Sequence, residues 1–174
     1  MDLIILPGNS INNKRSSEEM LKILSPLFNR SFVHEYKHWQ AQKGSMNLEE
    51  EIQRLKNSID AKKEYIIVAK SIGSVLAMKF IAEENIRVKG CVFLGVPVNW
   101  CKNKDMDIDK VIRGFSTKLR IFQNTQDPTT SSEDLKEYLE DMQVRNYSLT
   151  EVEASDHEYE DFELIKKAVQ DLIK

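Results

Sequence analysis

Six apolar, strand-like runs alternate with amphipathic helix patterns along this chain of 174 residues, and the alternation constrains the fold more than any other feature. Parallel strands need a crossover connection, which is usually a helix, so strands that alternate with helices favour a parallel sheet covered on both faces. We therefore predict an α/β protein built as a three-layer α/β/α sandwich. The predicted strands are 2–8, 31–39, 64–70, 89–97, 118–125 and 145–152.

The helix patterns between these strands carry start signals of their own. Ser16 and Glu19 match a capping box, in which two side chains satisfy backbone N–H groups at a helix start. Ser131 is of a residue type that favours an N-cap. No repeat or linker interrupts the pattern, which predicts a single domain over 1–174. The predicted helices are 16–29, 47–59, 72–84, 131–141 and 161–174.

The segment 97–117 breaks the alternation. It is long and polar, it carries Trp100 and Phe115, and it begins at the end of the fourth predicted strand. Ligands of parallel α/β sheets bind outside the carboxyl ends of the strands. We therefore predict that 97–117 forms a flap or a short helix over a site.

The composition is that of an ordinary globular protein and excludes several classes of function. A net charge of −3, with lysines and glutamates mixed along the helices, provides no basic surface for nucleic acid or an anionic membrane. The apolar start of the chain is too short for a signal peptide, and no run approaches the length of a membrane span. The sequence predicts a cytoplasmic protein with a small-molecule substrate and no nucleic-acid or membrane partner, and it leaves protein partners open.

Cysteine and histidine give no sign of a metal site. Cys91 lies in an apolar run and is expected to be a buried, inert thiol, whereas Cys101 lies in a predicted loop, where a reactive thiol is the less favoured alternative. The three histidines have no metal-binding spacing, and we interpret His34 and His38 as structural. We predict neither a metal nor an organic cofactor.

The stretch EYIIVAKSIGSVLAM (64–78) places a strand and a helix on either side of Lys70 and Ser71 with no loop between them. A turn this sharp strains the backbone, and such strain is commonly kept at functional sites. A nucleophilic serine on a strand–turn–helix needs small residues two positions before and after it, and Ala69 and Gly73 meet that need. The alternative is that Ser71 only caps the helix, and this motif alone leaves the two interpretations even.

A serine nucleophile needs a base, and the base needs an acid that orients it. Asp127 follows the fifth predicted strand, and His157 follows the sixth and precedes the last helix. Because the carboxyl ends of parallel strands lie at one edge of the sheet, Ser71, Asp127 and His157 are predicted to converge there. Taken singly, an aspartate in a turn and a histidine in an acidic loop are most often structural or solvated, but their joint position and chain order favour catalysis.

The motifs AKSIGS, TQDP and DHEYED, together with LPGNS near the start, resemble those of the α/β-hydrolase superfamily over essentially the whole chain. The likeness is to the compact group without an inserted cap domain, which includes serine hydrolases of the retinoblastoma-binding protein 9 type. This resemblance implies a minimal α/β-hydrolase fold with the sheet order 2-1-3-4-5-6. It also implies that Ser71 is the nucleophile, Asp127 the acid and His157 the base.

Three features depart from the pattern of this superfamily. Ala69 replaces the common glycine two residues before the serine, Lys70 places a positive charge at the elbow, and PGNS replaces a glycine-rich loop. One donor of the oxyanion hole comes from that loop in the superfamily, so the backbone N–H groups of Asn9 and Ile72 are our candidates. The candidate substrate-pocket residues are Ser10, Lys70, Trp100 and Phe115.

The sequence thus predicts a serine hydrolase that cleaves a carboxylic ester, or less favourably an amide or thioester, through an acyl-enzyme intermediate. Without an inserted cap, the pocket is expected to be open and to take small or flexible acyl groups. The alternative is a catalytically weak or inactive protein that uses the same fold as a binding module, since a fold does not fix a function. A nucleotide-binding domain is disfavoured, because LPGNSINNK lacks the glycine-rich phosphate-binding patterns.

Overall fold

The computed structural model describes residues 1–41, 46–84 and 86–174. Within these residues the strands are β1 (Asp2–Leu6), β2 (Ser31–Val33), β3 (Glu64–Lys70), β4 (Arg87–Leu94), β5 (Leu119–Asn124) and β6 (Tyr147–Val152). They form one sheet in the order β2-β1-β3-β4-β5-β6, and every neighbouring pair is parallel. The predicted sheet and its strand order are confirmed.

The α-helices of the described residues cover both faces of this sheet. They are α1 (Asn13–Leu24), α2 (Lys37–Ala41), α3 (Leu48–Ser58), α4 (Ile72–Glu83), α5 (Val98–Lys102), α6 (Asp109–Arg113), α7 (Ser132–Asp141) and α8 (Phe162–Ile173). One face is covered by α1 and α8, and the other by α3, α4, α6 and α7. Within the described ranges, none of these helices is both long enough and apolar enough to cross a lipid bilayer.

The two-sided burial of the strands explains their continuous apolar sequences. Successive strand residues face opposite sides of a sheet, so a strand covered on both faces is apolar throughout. In β1, Leu3 and Ile5 pack under α1 and α8, whereas Ile4 and Leu6 pack under the helices of the other face. Because all six strands are parallel, their carboxyl ends lie at one edge of the sheet, and the loops that follow them build the candidate site.

The second strand is shorter than predicted, because β2 ends at Val33 and the remainder of 31–39 turns into α2. The backbone N–H of His34 still donates to a carbonyl oxygen of β1 at 2.9 Å. Beyond it, the fully buried side chain of Tyr36 donates its hydroxyl to the carbonyl oxygen of Pro7 at 2.6 Å. At this edge of the sheet, burial of aromatic side chains against the loop after β1 decides the local structure.

The start of the first helix also differs from the prediction. α1 begins at Asn13, so Ser16 lies inside the helix and forms no capping box. The turn before it already starts the helix, since the N–H of Asn13 donates to the carbonyl oxygen of Ser10 at 3.0 Å. Three other predicted helices begin as expected, each with an N-cap side chain that accepts a backbone N–H; the caps are Asn47, Ser131 and Asp161.

The segment 97–117 forms the two short helices α5 and α6, and its apolar side chains pack inward. Cys101 lies in α5 and not in a loop, and burial raises the pKa of its thiol to about 11. Burial also raises the pKa of the Cys91 thiol, so neither cysteine has the thiolate character that reactivity requires. The buried residues of the segment are Val98, Cys101, Ile108, Ile112 and Phe115.

A buried cluster around Glu51 fixes the segment between β2 and α3. The Glu51 carboxylate accepts hydrogen bonds from His34 Nε2 at 2.8 Å, from the backbone N–H of Lys37 at 2.8 Å and from Arg54 at 2.7 Å. Burial raises the pKa of the Glu51 carboxyl, but these hydrogen bonds and the charges of His34 and Arg54 outweigh burial and lower the pKa overall. His34 therefore has the structural role that we inferred for it.

Replacing Glu51 with glutamine is expected to lower the free energy of unfolding by about 3 kcal/mol at neutral pH, because it removes a buried charge that three donors share. A carboxylate whose pKa is lowered by folding stabilises the fold above its unfolded pKa, and this contribution is lost as the pH falls through the folded pKa. The difference between the wild type and Glu51→Gln should therefore shrink below about pH 4. Urea unfolding across this pH range measures it, and a difference that does not change with pH would contradict the account.

Candidate active site

Ser71 lies at the turn between β3 and α4 in a backbone conformation that residues with side chains rarely adopt. Its φ is 54° and its ψ is −127°, and its N–H donates to the carbonyl oxygen of Leu94 on the neighbouring strand at 2.9 Å. Such a conformation persists only where the surrounding structure requires it. The strain expected from the abrupt change of strand into helix is therefore present at Ser71.

Gly73 allows the turn to be this tight. A Cβ atom added at Gly73 would lie 2.3 Å from the carbonyl oxygen of Leu6 and 2.6 Å from that of Pro7. Both are backbone atoms, so they cannot move aside by a change of side-chain rotamer. The start of α4 therefore packs directly against the end of β1, and this contact brings Ser71 beside the loop that follows β1.

The side chain of Ser71 does not act as an N-cap, because it makes no capping hydrogen bond at the start of α4. The Ser71 carbonyl oxygen instead accepts from the N–H of Ser74 at 2.8 Å and from its hydroxyl at 2.7 Å. Of the two interpretations that the sequence left even, the structure therefore disfavours the cap. The first N–H groups of α4, beginning with that of Ile72, have no partner within the helix and favour negative charge beside them.

Asp127 and His157 lie on the loops after β5 and β6, and a hydrogen bond of 2.6 Å joins Asp127 Oδ2 to His157 Nδ1. Two further residues hold the carboxylate. Tyr159 donates its hydroxyl to Oδ2 at 2.6 Å, and Thr129 donates its N–H and hydroxyl to Oδ1 at 2.8 and 2.7 Å. The side chain of Asp127 has no exposed surface, so these bonds fix its orientation.

The charge state of Asp127 decides which nitrogen of His157 carries a proton. Burial raises the pKa of the Asp127 carboxyl, but the hydrogen bonds from His157, Tyr159 and Thr129 outweigh burial and lower the pKa overall. Burial and the bond to Asp127 raise the pKa of the Tyr159 hydroxyl, which therefore remains a donor. The ionised carboxylate accepts a hydrogen bond from the protonated Nδ1 of His157. In the neutral imidazole the lone pair therefore lies on Nε2.

His157 Nε2 is buried and has no hydrogen-bond partner among the residues that the structure describes. Buried polar atoms without partners are rare in native proteins, and one next to an oriented acid is a candidate functional group.

Gly95 makes room for the imidazole ring of His157. Its φ is 65°, and a Cβ atom there would lie 2.7 Å from His157 Cε1 and 2.5 Å from Tyr159 Cε2.

Ser71 and His157 line the same cavity at the carboxyl edge of the sheet, and this cavity has a volume of about 340 Å³. Ser10, Lys70 and Trp100, three of the four predicted pocket residues, also line it. The two candidate oxyanion residues lie in its wall as well. The full lining is Gly8, Asn9, Ser10, Asn13, Lys70, Ser71, Ile72, Trp100, Thr129, His157 and Glu158.

Phe115 lies elsewhere, which corrects its assignment to the substrate pocket. Its ring is buried in the hydrophobic core, with its centroid 6.0 Å from that of Phe93. The apolar side chains of 97–117 turn inward from the two short helices, and of its two large aromatic residues Trp100, which is 36% exposed, lines the cavity.

Helix α2 holds the loop after β1 in place. The carbonyl oxygen of Asn9 accepts hydrogen bonds from His38 Nε2 and from Trp39 Nε1, both at 2.8 Å. The Asn9 side chain accepts the backbone N–H of Met46 at 3.3 Å. Since a carbonyl oxygen only accepts, His38 donates from Nε2, and its buried Nδ1 has no partner within the described part of the chain. His38, interpreted from the sequence as structural, thus supports a wall of the cavity.

A family model described as an alpha/beta hydrolase domain matches residues 21–174 of the chain. This chain belongs to the α/β-hydrolase family. A comparison with curated proteins found no match.

Solved structures of α/β hydrolases share the fold at low sequence identity. Alpha/beta hydrolase domain-containing protein 10 from mouse is 14% identical, with a TM-score of 0.69 over 99% of this chain and 89% of the mouse chain. Est1E from Butyrivibrio proteoclasticus, solved with ferulic acid bound, is 14% identical, with a TM-score of 0.72 over 99% and 87% of the two chains. The Pyrococcus furiosus esterase Pf2001 is 15% identical, with a TM-score of 0.70 over 99% and 79%. Family and neighbours together support a hydrolase.

Four further residues of this α/β hydrolase contribute to the candidate site but were not predicted from its sequence. Thr129 stands two positions after Asp127, which is the spacing of an aspartate turn and is a signal that the sequence offers. Tyr159 stands two positions after His157, but nothing in the sequence shows that its hydroxyl turns back to Asp127. The other two are Gly95, whose role depends on a contact with a distant loop, and Glu158, which pairs with Lys70.

Proposed function

We propose that this α/β hydrolase is a serine hydrolase that cleaves carboxylic esters through an acyl-enzyme intermediate. The observation that carries the proposal is the hydrogen-bonded pair of Asp127 and His157, whose free Nε2 belongs to the same cavity as the strained Ser71. No hydrogen bond joins Ser71 to His157 in the described structure. Catalytic hydrogen bonds of this kind are often absent without substrate and form in the Michaelis complex.

In the proposed reaction, His157 Nε2 accepts the hydroxyl proton of Ser71 as Ser71 Oγ forms a bond to the ester carbonyl carbon. Asp127 holds the imidazole in the tautomer that leaves Nε2 free and stabilises the imidazolium that forms. The tetrahedral intermediate then breaks its bond to the alcohol oxygen, which leaves with the proton from His157. Water attacks the acyl-enzyme in the same way, with His157 as base, and the carboxylic acid is released as Ser71 regains its proton.

The proposed oxyanion hole consists of the backbone N–H groups of Asn9 and Ile72. Both residues line the cavity, and Ile72 begins α4, where unpaired N–H groups favour developing negative charge. The carbonyl oxygen of Asn9 accepts hydrogen bonds from His38 and Trp39, which hold the loop that presents the Asn9 N–H. Donors that are already in place cost no reorganisation during the reaction.

The acyl-enzyme can be tested with 4-nitrophenyl acetate. Rapid mixing should release a burst of about one nitrophenolate per chain before a slower steady state, because acylation by an activated ester outpaces hydrolysis of the acyl-enzyme. Mass spectrometry of the acid-quenched protein should show one acetyl group on Ser71. Absence of turnover, or turnover that leaves no acetyl group on Ser71 at any time after mixing, would contradict the proposal.

Trp39→Phe is expected to lower kcat for 4-nitrophenyl acetate about tenfold with KM nearly unchanged. The variant keeps an aromatic ring but removes the N–H that holds the Asn9 carbonyl, and the oxyanion hole acts mainly in the transition state. Trp100→Phe is the matched control, since Trp100 lines the cavity whereas the Asn9 carbonyl is held by His38 and Trp39, and its main effect should be on KM. A Trp39→Phe enzyme with wild-type kcat would show that the contact does not position the oxyanion hole.

A further inference from the structure

Lys70 is an unusual residue for its position in the sheet. As the last residue of β3, it follows Ile66 and Val68 along the face that α1 and α8 cover, because alternate strand residues share a face. The residue is only 8% exposed, and it lines the cavity beside Ser71. Burying an ammonium group is costly unless the charge is paired. Placing a lysine there therefore requires a partner of opposite charge.

The partner that the structure provides is Glu158, and the two side chains differ greatly in exposure. The Lys70 ammonium forms an ion pair with the Glu158 carboxylate. The side chain of Lys70 is 9% exposed, whereas that of Glu158 is 64% exposed. Glu158 can therefore be hydrated in a second orientation, while Lys70 stays in the wall of the cavity. Because the buried ammonium must stay paired, Glu158 can leave it only when a second carboxylate takes its place.

We propose that Lys70 binds a carboxylate of the substrate in exchange for Glu158, so that the preferred substrates are short esters that carry a carboxylate group. This inference rests on the proposed esterase function for its reaction but not for its binding step. The exchange replaces one carboxylate by another and leaves Lys70 paired throughout. Among the described residues that line the cavity, Lys70 is the one lysine or arginine, so it is the group that distinguishes an anionic substrate from a neutral one.

The position of Lys70 also limits the length of the substrate. Lys70 and Ser71 are consecutive, and the Cα atoms of consecutive residues are about 3.8 Å apart. Both residues line one cavity of about 340 Å³, so a substrate whose carboxylate meets Lys70 while Ser71 attacks its carbonyl group must fit within that volume. The rest of the lining combines neutral polar side chains, among them Asn9, Ser10 and Asn13, with the apolar side chains of Ile72 and Trp100, and the volume suits a short chain.

The binding step can be measured without catalysis by comparing adipic acid monoamide with adipamide, which differ by one carboxylate. Titration followed by tryptophan fluorescence, to which Trp100 in the cavity wall contributes, should show the monoamide binding about tenfold more tightly to the wild type, as one charge-assisted hydrogen bond requires. Lys70→Met should abolish this preference and Lys70→Arg should retain most of it. Glu158→Gln, which changes an exposed side chain, should increase the preference about threefold or more by removing the competing carboxylate.

The same variants can then be assayed on two 4-nitrophenyl esters, the monoester of adipic acid and its terminal carboxamide. The ratio of their kcat/KM values should fall about tenfold in Lys70→Met and rise in Glu158→Gln. The matched control is Lys79→Met, which removes the same charge from an ion pair on α4 that is not part of the cavity, and it should leave the ratio unchanged.

The outcomes separate this inference from the proposed function. If the wild type cleaves the neutral ester but the carboxylate preference is absent, or is unchanged in Lys70→Met and Glu158→Gln, the inference is wrong and the esterase proposal stands. If the monoamide preference depends on Lys70 but neither ester is cleaved, the carboxylate subsite stands and the esterase proposal is wrong. Should Lys70→Met fail to fold, an unchanged preference in Glu158→Gln alone overturns the inference.

Discussion

Substitution of Ser71 by alanine is expected to lower kcat/KM for 4-nitrophenyl acetate by about 10⁴- to 10⁶-fold. The change removes the atom that forms the acyl-enzyme and leaves the rest of the cavity in place. The Ser71 side chain makes no capping hydrogen bond in the wild type. Removing its hydroxyl should therefore change the free energy of unfolding little. The measurement is steady-state hydrolysis on protein whose thermal unfolding matches that of the wild type.

The matched control for this prediction is Ser116→Ala, which changes an exposed serine in the segment between α6 and β5. This variant should keep wild-type activity, so the comparison excludes a general effect of removing a hydroxyl group. A Ser71→Ala protein with even one hundredth of the wild-type kcat/KM, in a preparation free of contaminating esterase, would show that Ser71 is not the nucleophile.

Asp127→Asn is expected to lower kcat by about 10⁴-fold. Asparagine keeps the size of the side chain but removes the charge that accepts Nδ1–H of His157, so the imidazole can place its proton on Nε2 and lose its capacity as a base. Tyr159→Phe is the matched variant, because it removes one of the hydrogen bonds to the same carboxylate and leaves the charge. Its kcat should fall only about tenfold or less.

The ratio of these two effects tests the role of the acid. If Asp127→Asn and Tyr159→Phe reduce kcat by similar small factors, Asp127 merely anchors its loop and does not orient the base. Circular dichroism and thermal unfolding of both variants are needed beside the kinetics, because Asp127 also receives two hydrogen bonds from Thr129 that shape the turn after β5.

The sheet was predictable because strands buried on both faces have sequences that few other structures permit. All six strand positions were recognised, and β3 was predicted with its observed bounds. The predicted end of the second strand was wrong. The stretch after Val33 has the composition of a strand, but its aromatic side chains are buried against the loop after β1. Such contacts join residues about thirty positions apart, and local sequence periodicity does not report them.

In the candidate site too, some features were predictable from the sequence and others depend on contacts between distant residues. Topology places Ser71, Asp127 and His157 at one edge of the sheet, because the carboxyl ends of parallel strands meet there. Phe115 was misplaced because its orientation depends on how two short helices pack, and their composition alone does not fix it. The ion pair of Lys70 with Glu158 joins the end of β3 to the loop after β6, far away in the chain. Only the folded structure therefore shows that the charge at the elbow lines the cavity.

Labelling with a fluorophosphonate probe tests most directly whether Ser71 is an activated nucleophile. The reagent forms a covalent bond with a serine that has a base beside it, independently of substrate preference, and peptide mass spectrometry identifies the residue. We expect one adduct per chain, on Ser71, absent from Ser71→Ala and strongly slowed in Asp127→Asn. No adduct under conditions that fully label a reference serine hydrolase, or an adduct on another residue that survives in Ser71→Ala, would contradict the account.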